Sequence, residues 1–156
     1  VAEPFRIPSG SMEPTLHDGQ VIAVDRHHYR RHPLRPGDVV VFDYDGMVQV
    51  KRVHALPGAR VWEVHYDSEE SAFLLNPRTL DRARWLLGRQ PGAAIRSRDV
   101  PSGTLYVLGD GGNSSYDSRY YGPIPASAVI GKALLRDEGG RAAVRAVERA
   151  TLDAGG

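Results

Sequence analysis

The stretch "MVQVKRVHAL", residues 47–56, alternates apolar and polar side chains for most of its length, which is the pattern of a half-buried β-strand. Comparable runs, rich in β-branched residues and bounded by Gly, Pro or Asp, occur on both sides of it, at 20–25, 38–43, 59–66, 103–110 and 127–135. Turns of the Pro-Gly type separate several of them. The chain therefore predicts a mostly β fold, with an antiparallel sheet or small barrel as its main lobe.

Residues 67–102 interrupt the series of strands. They are largely polar and contain one plausible short helix, around Leu80 to Leu87, between Pro77 and Pro91. We interpret this part of the chain as a smaller lobe, at about 62–103, inserted into a main domain that covers 1–136. The remaining tail, 137–156, has a pattern that allows a short helix from Arg141 to Leu152.

The composition excludes several classes of function. A chain of 156 residues has the length of one domain, and its 20 basic and 19 acidic residues give a net charge of +1, so no strong overall field attracts nucleic acid. Cysteine is absent, which excludes disulfides and thiolate chemistry. No apolar run reaches the roughly 18 to 20 residues that cross a bilayer. The histidines in "RHHYRRHPLR", residues 26–35, are interpreted as a solvated surface, not as a metal or nucleic-acid site.

The segment "RIPSGSMEPTL", residues 6–16, suits neither helix nor strand. It is either a surface turn or a bent backbone that presents one serine hydroxyl. A serine becomes a nucleophile only when a base removes its proton and donors await the oxyanion. Among the 20 basic residues only Lys51 and Lys132 are lysines. Lys51 shares a strand face with Gln49 and Val53, where desolvation would lower its pKa, although a surface lysine remains an alternative.

A third stretch, "LGDGGNSSYDSRYYGP" at 108–123, is rich in turn-forming residues. Asp117 and Arg119 are placed to pair, and Ser114, Ser115 and Ser118 bring hydroxyls together just after a predicted strand. The segment is either a long surface loop or a loop whose charged pair braces a site.

Together these stretches resemble the type I signal peptidases, membrane-associated proteases that remove signal peptides with a Ser/Lys dyad. The resemblance lies in four motifs that follow the family's order: "IPSGSMEPTL" (7–16), "RPGDVVVF" (35–42), "VKRVHALPG" (50–58) and "LGDGGNSSYDSRYYGPIP" (108–125). It implies a mostly β protein of two lobes, with the catalytic site in the larger one. It also implies a serine endopeptidase that uses no cofactor and no metal.

The resemblance assigns roles at the predicted site. Ser11 would be the nucleophile and Lys51 the general base, while the N–H of Ser11 and the hydroxyl of Ser9 would form the oxyanion hole. Ser115 would hydrogen-bond and orient the lysine amine. Asp117 and Arg119 would form a structural ion pair.

The resemblance also implies selection of small side chains at the first and third positions before the cut, the Ala-x-Ala pattern. Apolar walls would exclude larger side chains. The residues implied to line these pockets are Phe5, Ile7, Leu16 and Val50. Met12 would pack beside the nucleophile.

Members of the family normally carry a transmembrane helix just before the first motif. We expect this anchor to have been removed from the chain by truncation, and the catalytic domain to act at the extracytoplasmic face of a bacterial membrane. Its expected partners are the signal peptides of preproteins and membrane surface lipid, with no nucleic acid. Two positions depart from the family's pattern: Gly111 stands where Asn is usual, and Ala59 stands where Asp is usual. Both changes affect residues that brace the site and leave the dyad residues unchanged.

Two other functions stay open at this stage. One is a specialised maturation protease of the same superfamily, of the pilin-processing or metalloenzyme-maturation type, that acts on a single partner protein. The other is a family member whose site has decayed into a binding module. The joint presence of Ser9, Ser11, Lys51 and Ser115 argues against the second.

Overall fold

A computed structural model describes residues 2–67, 71–135 and 144–149. Its strands are β1 (Ala2–Arg6), β2 (Val21–Asp25), β3 (Val39–Tyr44), β4 (Met47–Ala55), β5 (Arg60–Tyr66), β6 (Ser71–Leu74), β7 (Ala93–Asp99), β8 (Thr104–Leu108), β9 (Ile124–Pro125) and β10 (Val129–Leu134). Its helices are α1 (His28–Arg31), α2 (Leu80–Leu87) and α3 (Ser118–Tyr121).

The larger sheet contains the functional motifs. In the described part of the chain its strands follow the order β1-β2-β10-β3-β4-β8-β9, and each neighbouring pair is antiparallel. The predicted mostly β, antiparallel fold is therefore confirmed.

Strand β3 lies in the middle of this sheet and is buried on both faces. Val39 and Val41 belong to one apolar cluster, and Val40 and Phe42 belong to another. Since successive side chains of a strand point to opposite faces, the run "VVVF" at 39–42 supplies both clusters. A continuous apolar run is what a strand covered on both faces requires.

The smaller sheet has the order β6-β5-β7, and β5 pairs with β7 from Arg60↔Asp99 to Tyr66↔Ala93. Helix α2 lies in the connection between β6 and β7 and has the bounds predicted for it, Leu80–Leu87. This sheet occupies the stretch in which the sequence predicts an inserted lobe, and the division into lobes itself stays a prediction.

In the tail, residues 144–149 are helical, and Ala146 packs against Ala2 and Ala23. The other residues of the helix predicted at 141–152 lie outside the described residues. Among the helices that the structure describes, none combines the length and apolarity needed to cross a membrane.

The connection between β1 and β2 is irregular but anchored. The N–H of Ile7 donates to the carbonyl of Gln20, and the N–H of Leu16 donates to that of Met12. The side chains of Ile7, Met12 and Leu16 are buried in the cluster that also contains Val50 of β4. The first motif is thereby held against the strand that carries Lys51.

Candidate active site

Ser11 and Lys51 meet at the centre of the site. The Nζ of Lys51 lies 2.6 Å from the Oγ of Ser11, although 40 residues separate them in the sequence. Both side chains are buried, with exposed fractions of 4% for Lys51 and 9% for Ser11. Met12, the residue after Ser11, and Val50, the residue before Lys51, are both buried in the same apolar cluster. Packing of these two neighbours fixes the positions of Ser11 and Lys51.

Burial changes the acid–base behaviour of Lys51. Desolvation disfavours the ammonium and lowers the pKa of Lys51 to about 8. The negative charge of Asp117 opposes this shift, and the positive charge of Arg119 adds to it. At pH 7 about a tenth of Lys51 is therefore a neutral amine, able to accept a proton from the hydroxyl it contacts, and this fraction rises with pH.

Ser9 lies on the solvent side of Ser11. The Oγ atoms of Ser9 and Ser11 are 3.3 Å apart, and the N–H of Ser11 points toward the Oγ of Ser9 at 3.4 Å. A backbone N–H and a hydroxyl therefore lie together beside the Ser11 Oγ. A backbone N–H and a hydroxyl are the kinds of donor that stabilise an oxyanion on a carbonyl attacked by a serine.

Ser115 is buried next to the dyad. Within the described residues its Oγ has no hydrogen-bond partner, so the hydrogen bond predicted from Ser115 to Lys51 is not formed in this structure. A Cβ atom built on Gly109 would lie 2.0 Å from the Ser115 Oγ, which leaves room only for glycine at position 109. The N–H of Gly109 in turn donates to Asp117.

Asp117 and Arg119 form a buried ion pair, with 2.8 Å between Arg119 Nε and Asp117 Oδ1. The guanidinium also donates to the carbonyl oxygens of Ala72, Gly112 and Ser115. Arg119 therefore ties the loop that carries Ser115 to β6 of the smaller sheet.

A cleft of about 500 Å³ opens beside the dyad. Two of the residues predicted to line the substrate pockets, Ile7 and Val50, line this cleft next to Ser11, and so does Met12, which was predicted to pack beside the nucleophile. Phe5 and Leu16 do not line it. Leu16 is buried in the apolar cluster beneath the nucleophile loop, and Phe5 packs against the same cluster. Both side chains pack in or against the cluster that holds the loop, and their role as substrate-pocket residues stays a prediction.

An ion pair that the sequence did not predict links three motifs. Arg52 and Asp110 form it, with 2.8 Å between Nη2 and Oδ2 and 3.0 Å between Nε and Oδ1. Thr15 donates to the same carboxylate at 2.6 Å. The hydrogen bond from Arg52 is the main cause that holds the pKa of Asp110 below its usual range. No local pattern could reveal this pair, because 58 residues separate its members.

Gly111, next to Asp110, adds a backbone hydrogen bond between the fourth motif and the first. Its N–H donates to the carbonyl of Ser11 at 2.8 Å, and a Cβ at this position would lie 3.0 Å from that oxygen. Gly111, which stands where the resemblance leads one to expect Asn, is therefore in close contact with the backbone of Ser11.

A group of tyrosines, also missed, lines the cleft with Met47 and Val48. The rings of Tyr44 and Tyr121 stack with centroids 4.9 Å apart, and Tyr116 meets Tyr121 edge-on at 5.3 Å. These residues give the cleft a wall that is aromatic and partly open to solvent.

The histidines of α1 and its flanks lie away from this cleft. His28 stacks on His32 with ring centroids 4.6 Å apart, and His27 is exposed. In the part of the chain that the structure describes, no three His, Asp or Glu side chains are grouped as metal ligands.

The chain is similar to known proteins in sequence. The model of the family described as "Signal peptidase, peptidase S26" matches residues 1–136. The probable signal peptidase I-1 of Synechocystis sp. is 36% identical over 152 residues, which covers 87% of this chain and 71% of that protein. Signal peptidase IB of Staphylococcus aureus is 31% identical over 153 residues, which covers 87% and 78%. The crystal structure of a signal peptidase I from Enterococcus faecalis gives a TM-score of 0.41 at 24% identity over 65% of this chain and 97% of that one.

Proposed function

The chain belongs to the signal peptidase family, peptidase S26, and we propose that it removes signal peptides from preproteins with a Ser11/Lys51 dyad. The observation that carries the proposal is the distance of 2.6 Å between a buried lysine Nζ and a serine Oγ, together with a lysine pKa of about 8. A binding module has no need for a desolvated amine held against a hydroxyl.

In the proposed acylation step, the Ser11 Oγ attacks the scissile carbonyl carbon while its proton passes to the neutral Nζ of Lys51. The carbonyl electron pair moves onto oxygen, where the N–H of Ser11 and the hydroxyl of Ser9 donate to it. Lys51 then gives its proton to the amide nitrogen, the C–N bond breaks, and the mature protein leaves with a free amine. The signal peptide remains as an ester of Ser11.

Deacylation uses the same groups. Lys51, neutral again, takes a proton from water, and the resulting hydroxide equivalent attacks the ester carbon. The C–O bond to Ser11 breaks, and Ser11 takes the proton from Lys51. The water-poor surroundings of Lys51 keep its amine neutral for a second proton transfer. No cofactor or metal enters either step.

For the substrate we propose the Ala-x-Ala pattern before the cut. Ile7, Met12 and Val50 narrow the cleft beside Ser11, and they are fixed in the core with exposed fractions of 3% or less. Packed apolar walls that cannot move aside would exclude large side chains. The proposed setting is the extracytoplasmic face of a bacterial membrane, with membrane surface lipid as a further partner.

The specificity is tested by incubating the chain with several unrelated preproteins that carry Ala-x-Ala sites, in detergent, and by identifying the products by mass spectrometry. We expect cleavage after the second Ala in each, and loss of cleavage when that Ala is replaced by Phe. A chelator should have no effect, and Ser11→Ala is the matched inactive control. Cleavage of one preprotein alone would contradict a general signal peptidase and favour the specialised maturation protease.

A further inference from the structure

The connection around α2 is strongly basic. Residues 76–98 contain six arginines and one acidic residue, Asp81. Arg98 is neutralised by Glu63, with 2.7 Å between Nε and Oε1. The other five arginines are exposed, and none forms an ion pair within the described residues: Arg78, Arg82, Arg84, Arg89 and Arg96.

Helix α2 presents large apolar side chains on the same face as some of these charges. Trp85 is 60% exposed and Leu86 is 49% exposed. Arg82, Trp85, Leu86 and Arg89 follow an i, i+3, i+4, i+7 spacing, which places them along one side of the helix and its following turn. The Arg89 guanidinium lies 4.1 Å from the centroid of the Trp85 ring.

The opposite side of α2 is occupied by packing. Leu80, Ala83 and Leu87 are half-buried, and Arg84 lies over the ring of Trp62 of β5 at 5.2 Å. The helix is thus held to the smaller sheet by one side. Trp85 and Leu86 lie on the outer side, where their apolar surface is exposed to water. Packing within the described residues does not account for this exposure.

We propose that this outer side, defined as the α2 surface of Arg82, Trp85, Leu86 and Arg89, binds anionic phospholipid headgroups. Guanidinium groups pair with phosphate oxygens, and Trp and Leu enter the boundary between headgroups and acyl chains. Each arginine near a negatively charged leaflet adds attraction. A nucleic acid would use the arginines but would leave Leu86 exposed to water, so lipid is the better match.

The α2 surface is separate from the catalytic cleft, since none of its residues lines that cleft. The proposal therefore does not depend on the dyad, and the two can fail independently. It also gives a role to a part of the chain that the four sequence motifs do not cover.

The two tryptophans of the chain allow a direct test. In Trp62→Phe, Trp85 is the only indole, and its emission should shift to the blue when vesicles of phosphatidylglycerol and phosphatidylcholine are added. Vesicles of phosphatidylcholine alone should produce little shift. Added salt should weaken the response, because the arginine–phosphate attraction is screened.

Sedimentation with the same vesicles tests the charges. Arg82→Gln combined with Arg89→Gln should weaken partitioning by about tenfold. The matched control is Arg30→Gln with Arg31→Gln, which removes two exposed arginines from α1 and should change partitioning by less than about twofold. Peptide cleavage without lipid should be unchanged in both variants.

Three results would overturn the proposal. The first is equal loss of partitioning in the α1 and α2 variants, which would mean that net charge alone acts. The second is an emission of Trp85 that vesicles do not change. The third is a shift of Trp85 emission by a single-stranded oligonucleotide and not by vesicles, which would identify a nucleic-acid surface instead.

Discussion

In the proposed dyad Lys51 must be neutral before it can accept a proton from Ser11, so its pKa would set the pH range of activity. Burial lowers this pKa to about 8, and the neutral fraction therefore increases as pH rises toward that value. We expect kcat/KM for peptide cleavage to rise about tenfold between pH 6 and 7 and to level off above about 8. A profile that is flat from pH 6 to 9, with a stable fold, would contradict the assignment of Lys51 as base.

Ser115 offers a test that separates a catalytic from a structural role. Its Oγ is buried and makes no hydrogen bond within the described residues, so removing it frees the fold of an unsatisfied polar group. Ser115→Ala should therefore keep or raise the melting temperature while slowing cleavage without abolishing it. A fall in both quantities would show that the hydroxyl serves the fold. Ser114→Ala, at an exposed neighbour, is the matched control.

Single residues also show what the sequence could and could not predict about the site. The resemblance singled out Ser11 and Lys51 because each lies in a motif of its own, and in the structure the Nζ of Lys51 lies 2.6 Å from the Oγ of Ser11. The ion pair of Arg52 and Asp110 was not predicted, because a contact between residues so distant in sequence leaves no periodic pattern. For Leu16 the sequence leaves the role undecided, because an apolar residue near Ser11 can serve the core as well as a substrate pocket, and the structure buries it in the core.

At the scale of elements, α3 and the loop before it depend on the ion pair of Asp117 and Arg119. Asp117 is fully buried, and replacing its carboxylate with a neutral group would leave the Arg119 guanidinium without its counter-ion. Asp117→Asn should lower the free energy of unfolding by about 3 kcal/mol, measured in urea. The exposed pair of Arg60 and Asp99 supplies the control, since Asp99→Asn should leave the urea midpoint nearly unchanged. Equal losses of stability in Asp117→Asn and Asp99→Asn would contradict the claim that the buried ion pair braces α3.

The same variant has a second expected effect, on the dyad. The negative charge of Asp117 raises the pKa of Lys51, so removing that charge should move the pKa further down. The pH midpoint of cleavage in Asp117→Asn should therefore lie below that of the parent. An unchanged midpoint would show that the charge of Asp117 does not act on Lys51, and an upward shift would contradict the sign expected for this interaction.

The strands predicted from the sequence and those missed differ in position. The six predicted strands correspond to β2, β3, β4, β5, β8 and β10, each of which has a neighbour on both sides. The four missed strands, β1, β6, β7 and β9, lie at the edges of the two sheets. An edge strand buries less and tolerates proline and charge, as "AEPFR" at 2–6 and "AAIRSRD" at 93–99 do, so its apolar pattern is weak.

For the molecule as a whole, the two sheets are joined through a buried carboxylate. Glu63 of β5 accepts hydrogen bonds from Tyr106 of β8 at 2.5 Å and from Arg98 of β7 at 2.7 Å. Tyr106→Phe would leave one Glu63 oxygen without its donor and should lower the free energy of unfolding by about 1 to 3 kcal/mol. Tyr66→Phe, whose hydroxyl makes only an exposed contact of 3.4 Å, is the control. Similar losses in both variants would mean that Glu63 does not join the sheets.

The central claim is that Lys51 is the base for Ser11, and the most direct measurement compares peptide cleavage by the parent, Ser11→Ala, Lys51→Ala and Lys51→Arg. The substrate is a fluorogenic Ala-x-Ala peptide in detergent at pH 8, and far-UV circular dichroism confirms that each variant is folded. We expect cleavage by the parent alone, since an arginine keeps its proton at this pH. Full activity in Lys51→Ala would contradict the dyad.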